Sequence, residues 1–227
     1  MKRILFPIAL LALFTRCQNQ AFVSNDCSIA LDQVIFSKSV NKAQEAITRR
    51  DNHELQMTSG PQTDYFMAPN GQEKYANAPL LLTAVDNRAP FTFVTKATPG
   101  FTTTYDAGAV YLFAHDEQWL KFAFEMDKQK LTRLVTVRTN GTSDDNNHDV
   151  VSHPSVWLKI SSDTESVGFY YSTDSTAWQL VRVYKNDFPP ATWIGLSSQS
   201  PISTGTTTLF EGCLLSNVAI RDFRKGI

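Results

Sequence analysis

The sequence predicts an all-β protein, with short antiparallel strands packed as a sandwich or barrel. Beyond Glu54, apolar residues alternate with polar ones in short runs, broken roughly every 8 to 12 residues by Gly, Pro, Asn, Asp or Ser. The connections hold strong turn formers, notably Pro69-Asn70-Gly71, Asn140-Gly141 and Phe188-Pro189-Pro190. Helical period is nowhere sustained, and no internal repeat is visible.

Taken in order, Lys2 and Arg3 precede an apolar run from Ile4 to Phe14 that is too short to span a bilayer, the pattern of an export signal. Cys17 follows directly and resembles the acylated cysteine of a bacterial lipoprotein, although Arg16 stands where a small residue is usual. The expectation is a signal over 1–17, a polar tether over 18–27 and one domain over 28–227, exported to the periplasm or cell surface on a lipid anchor at Cys17. An ordinary signal peptide is the alternative. Ser28–Phe36 reads as a first strand and Ser39–Arg50 as one short helix. Further strands are expected at 79–85, 91–97, 109–114, 119–126, 131–139, 156–161, 166–172, 178–184, 193–198 and, with a break, 207–221. Alternation within them predicts two packed sheets, each with one solvated face. It also names a core of Leu80, Leu82, Phe91, Phe93, Leu120, Phe122, Phe124, Val135, Val137, Val156, Leu158, Ile160, Ile194 and Leu196.

At 227 residues, 42% apolar and a net charge of −1, the chain suits a single domain with a sizeable core. Lys and Arg are scattered singly, so the footprint of a nucleic-acid binder is missing, and a membrane is expected only through the lipid anchor. If Cys17 is lipidated, Cys27 and Cys213 remain. An exported compartment permits them to pair, and two buried free thiols is the other reading.

The stretch from Tyr105 to Glu125 is the most informative for function. Period-two geometry places Trp119, Lys121 and Glu125 on one face and Leu120, Phe122 and Phe124 on the other. An indole, an ammonium and a carboxylate on a solvated sheet face is a composition suited to sugar recognition, which uses aromatic faces and planar polar groups. The expected ligand-binding residues are Tyr105, Asp106, Trp119, Lys121, Glu125, Arg138, Asp144, Arg182 and Gln199, with Trp119 the one most expected to be exposed. Trp157, Tyr170 and Trp178 are further aromatic platforms. Glycoside hydrolysis needs two carboxyl groups roughly 5 to 10 Å apart. Glu125 with Asp144 or Asp106 supplies the candidate pair, the alternative in which the protein is an enzyme. A scaffolding module that docks another protein is the third reading.

Asp144, Asp145 and Asn147 stand in an oxygen-rich stretch read as a loop, which could hold calcium as the one cofactor considered. The four histidines show no zinc-site spacing, and neither a GxSxG elbow nor a phosphate loop occurs.

The order of motifs carries a resemblance. TDYF (63–66), NAPLLL (77–82), FTF (91–93), YDAG (105–108), WLKFAFE (119–125), VTVRTNGTSDD (135–145), FYYSTDSTAWQLVR (169–182) and WIGLSSQSP (193–201) together resemble the family known as domain of unknown function 1349, also described as like regulation of enolase protein 1. The resemblance covers roughly Gln56 to Phe210. It implies a concanavalin A-like jelly roll, the sandwich of legume lectins, laminin G domains and many glucanases, and leaves activity open. Ala107 and Asp174-Ser175 depart from the family, which often has Gln and Asp-Gly there.

Overall fold

The computed structural model describes residues 22–49 and 51–227. The signal segment and Cys17 lie outside the described residues. The expected all-β architecture is present: two large antiparallel sheets pack face to face as a jelly-roll sandwich.

Along the chain the strands are β1 (Asn25–Leu31), β2 (Val34–Val40), β3 (Ile47–Arg49), β4 (Glu54–Ser59), β5 (Tyr65–Met67), β6 (Lys74–Ala76), β7 (Leu80–Asp86), β8 (Phe91–Pro99) and β9 (Ala107–His115). There follow β10 (Gln118–Met126), β11 (Thr132–Asn140), β12 (Thr142–Val150), β13 (Val156–Ser162), β14 (Ser166–Ser172), β15 (Gln179–Lys185), β16 (Ala191–Gln199) and β17 (Thr206–Ser216). The larger sheet runs β1-β2-β7-β16-β9-β10-β11-β12, the smaller one β15-β14-β13-β8-β17-β4-β3, and β5-β6 form a separate hairpin.

Every strand expected from β7 onward is found, with ends shifted by a residue or two, except that β17 stops at Ser216, five residues before the expected end. Three local expectations are corrected. Ser28–Phe36 is not one strand but the middle of a hairpin, because Asp32 takes φ 50° and turns the chain. As β1 starts at Asn25, the end of the expected tether already lies in the sheet. The expected helix over 39–50 is absent: Asn41 and Lys42 both adopt left-handed backbone, φ 51° and 60°, which cannot propagate a right-handed helix.

The stretch read as a loop after Asn140-Gly141 is a full strand, β12. Gly141 at φ 75° closes the hairpin, and Thr142–Val150 then pairs with β11 despite its polarity, because it is an edge strand with one neighbour.

The sheets enclose a core in which Phe122 stacks on Phe169 from the opposite sheet, centroids 5.0 Å apart, and Phe124 meets Phe101 edge-on at 5.2 Å. Each such aromatic contributes about 1.5–3 kcal/mol through burial. Phe91, Phe93, Leu120, Val156, Leu158, Ile160, Ile194 and Leu196 join it as expected. Leu80, Leu82, Val135 and Val137 are buried too, but in a second apolar cluster on the other face of the larger sheet. It is Leu134 and Thr136 of β11 that turn toward the sandwich interior.

Both remaining cysteines are free thiols. The Cys27 thiol turns to the Phe36 carbonyl at 3.4 Å, while Cys213 is buried in the core with its own N–H donating to Asp32 Oδ2 at 2.7 Å. The pairing considered from the sequence is not formed.

Candidate functional site: a roofed cleft on the larger sheet

The sequence places Trp119, Lys121 and Glu125 on one face, and they do share it, but that face is not open. Trp119 is fully buried, and Lys121 and Glu125 are 3% and 8% exposed. The expected exposure of Trp119 is therefore corrected. The physical reason is a roof: the β5-β6 hairpin folds over this face and lays Tyr65 edge-on against Tyr111, Phe113 and Trp119, at 5.8 to 6.0 Å. The indole N–H is satisfied within its own turn, by the Asp116 carbonyl.

The roof is fastened by polar contacts. Asn41 Nδ2 donates to the Tyr65 hydroxyl and to the carbonyls of Ala76 and Ala78, and the Met67 N–H donates to Ser143 Oγ. Lys121 Nζ bonds the Tyr65 carbonyl at 2.9 Å, Asp64 Oδ1 at 3.1 Å and Gln199 Oε1 at 3.2 Å. All three ammonium donors are thus engaged.

Beyond Tyr65 the roof stops short of the sheet, leaving a cavity of about 390 Å³ floored by Lys121, Glu125 and Gln199. Phe66 and Tyr105 line it with Asp64, Glu73, Asp145 and Asn147. A second depression of about 590 Å³ shares Asp64, Glu73, Tyr105 and Pro201 with it and adds Tyr75 and Asn77. The two make one continuous cleft.

Two buried carboxyl groups near the cleft differ sharply. Asp106, with no exposure, accepts from the Thr102 and Thr103 N–H groups and from the hydroxyls of Thr102, Ser200 and Ser203. Burial alone would raise its pKa, yet these donors hold it below the usual carboxylate range. With its oxygens spent, Asp106 is a loop anchor rather than a ligand contact or a catalytic partner for Glu125. What it anchors is Tyr105, whose backbone is left-handed at φ 69°, an uncommon state for a bulky residue. Glu125, in contrast, is hydrogen-bonded by no donor among the described residues. Burial pushes it up to about 8; Lys121 works against this, while Asp64, Asp145 and Asp127 reinforce it.

Alternation on β11 and β12 divides the other expected site residues. Asp145 and Asn147 stand opposite Val137 and Val135 and reach the cleft, while Asp144 stands opposite Arg138 on the other face. There Arg138 pairs with Asp187, and Arg182 lies 3.8 Å from a mostly exposed Asp144 and donates to Thr136. Arg138, Asp144 and Arg182 are thus remote from the cleft, and the Glu125/Asp144 pairing is lost. The calcium set is split for the same reason, and no cluster of three metal-ligating side chains occurs among the described residues. Away from the cleft, Tyr170 is buried and Trp178 packs over Lys159 Nζ at 3.6 Å.

The sequence reading missed Asp64, Phe66, Glu73, Tyr75 and Asn77, which the hairpin brings over the sheet. The TDYF and NAPLLL motifs contain two aromatic or acidic wall residues and Asn77, so the signal was present as motif but not as position.

The profile of the family described as protein of unknown function DUF1349 matches residues 40–217. The chain belongs to this DUF1349 family. Among solved structures, a functionally unknown protein from Saccharomyces cerevisiae is similar to the DUF1349 chain at TM-score 0.72 and 19% identity, over 79% of this chain and 95% of that one. The GH43 protein BlXynB from Bacillus licheniformis is similar at TM-score 0.63 and 12% identity; 85% of this chain matches, but only 39% of that protein. An alginate lyase from Alteromonas sp.272 is similar at TM-score 0.51 and 8% identity, over 78% and 93%. At these identities the likeness is one of fold, the sandwich that occurs in glycoside hydrolases and lyases. No curated protein matches the sequence.

Proposed function

We propose that this DUF1349 domain binds a saccharide in the roofed cleft, with the sugar ring against Tyr105 and its polar groups on Glu125, Gln199, Asp145 and Asn77. One observation carries the reading: Glu125 is buried, has no donor among the described residues and faces an open cavity. A carboxyl group this withdrawn from bulk water, meeting solvent only through the cavity, favours its neutral form and gains from a ligand that satisfies it. Beside it stands an aromatic side chain held in a strained backbone conformation, and strain of this kind is retained where position matters. Aromatic wall with convergent polar floor is the chemistry of sugar recognition. The export signal read in residues 1–17 supports action outside the cytoplasm, on a lipid anchor at Cys17.

The cleft has four carboxyl groups, from Asp64, Glu73, Glu125 and Asp145, against one lysine already ion-paired, so polyuronates are turned away. Calorimetric titration with a panel of neutral, acidic and basic oligosaccharides tests the reading. Saturable heat that Tyr105→Ala abolishes is expected; silence across the panel removes the proposal. Hydrolysis is a second reading, favoured by a raised carboxyl group close enough to feel Asp145 across the cleft, the ionisation pattern of a general acid. It requires reducing ends to appear on incubation with a bound oligosaccharide, and Glu125→Gln to stop their release.

A further inference from the structure

Resting on the saccharide reading of this cleft, we propose that the ligand is an amino sugar, or a polymer of them, whose free ammonium seats against Glu125. Two cations beside Glu125 are committed elsewhere, and a third, Lys128, lies over the Tyr105 ring at 6.0 Å. Lys121, four residues back along β10, gives its donors to Asp64, the Tyr65 carbonyl and Gln199. Arg133, directly across on β11, is bound to Asp127 at 2.6 Å and to the His148 carbonyl. The remaining groups that face Glu125 are Asp64 beside β5, Asp145 on β12 and Asp127 at the end of β10, all of its own sign.

The buried carboxyl group thus sits in a field that favours an incoming positive charge, at the floor of a cavity it shares with the exposed Asp145. An ammonium supplies three donors and no acceptor. It can bond Glu125 and Asp145 together, while the apolar face of its ring covers Tyr105. Acetylating that nitrogen removes both the charge and two of the donors, so the site distinguishes amine from amide. Seating a cation also favours the carboxylate form of Glu125. With its pKa pushed up to about 8, Glu125 is mostly protonated at pH 7; seating the ammonium drives that proton off, to solvent or to a sugar amine that arrives neutral, so binding should release up to one proton per site.

The test is titration of the full chain at pH 7 with a β-1,4-linked glucosamine tetramer and with its fully N-acetylated counterpart, each in phosphate and in Tris buffer. The expected result is affinity for the amine at least about tenfold higher, with a buffer-dependent heat that reports proton release. In Glu125→Gln the preference falls to parity and the proton release disappears. Asp145→Asn, at an exposed position, narrows the preference several-fold. Equal or tighter binding of the acetylated tetramer, or binding only of other neutral sugars, overturns the ammonium assignment and leaves the saccharide reading standing. No heat with any sugar takes both down.

Discussion

Asp106 and Glu125 are two carboxyl groups of one protein, both withdrawn from water near one cleft, and they have opposite fates. Asp106 is surrounded by donors and stays ionised below the ordinary range; Glu125 has none and is raised to about 8. Burial is common to both, so burial alone decides neither charge nor role. The supply of donors does. Where donors converge, the carboxylate braces loops; where they are withheld, the group remains available to something from outside.

The largest effect expected from this contrast is on the braced side. Asp106→Ala leaves two N–H groups and three hydroxyls without their acceptor and should cost about 3 kcal/mol or more, read from urea denaturation at pH 7. Wild-type stability should also decline in acid as the pH falls through the depressed pKa of Asp106, and the variant should lack that component. Lys121→Met comes next. It strips the ammonium from Asp64, Gln199 and the Tyr65 carbonyl, and a loss of about 2 kcal/mol is expected, with the hairpin amides exchanging faster by NMR.

Glu125→Gln should move stability the other way. The folded pKa is raised, so the folded state holds a proton more tightly than the unfolded chain. Wild-type stability should then fall as the pH rises from about 4.5, the ordinary value, to about 8, and level off above. The amide cannot ionise, so the variant should lack this component and be more stable than wild type at pH 8, by about 1 kcal/mol or more. A variant no more stable at pH 8 would mean that Glu125 finds a donor in solution.

Tyr105→Gly should relieve about 1 kcal/mol of left-handed strain while weakening sugar binding, so its melting temperature and its affinity move in opposite directions. Asp144→Ala, exposed and on the far face, should change stability and binding by no more than about 0.5 kcal/mol.

The sequence revealed the sandwich because the interior strands alternate cleanly. It failed where burial and polarity separate. On β10 the phase was right: Trp119, Lys121 and Glu125 do share a face. Their exposure was misread because period two reports which side chains travel together and is silent on what lies over them. The roof comes from β5 and β6, two three-residue strands whose alternation is too short to register. On β11 the opposite error occurred: Val135 and Val137 are apolar because they pack into the second cluster under the roof and line the cleft, so they point away from the main core. On β12 the run Asp144 to Asp149 reads as loop by composition, and only pairing with β11 makes it a strand. That pairing in turn separates Asp144 from Asp145.

The hairpin that covers the cleft occupies the connection between β4 in one sheet and β7 in the other, so every chain with this topology must route something there. Its tip, Pro69 to Gln72, is exposed and distant from the interior, while its base is pinned by Asn41 and Lys121. Insertions at that tip can reshape the mouth of the cleft without disturbing the sheet packing beneath it, which makes this crossover a natural place for chains of this topology to differ in what they admit.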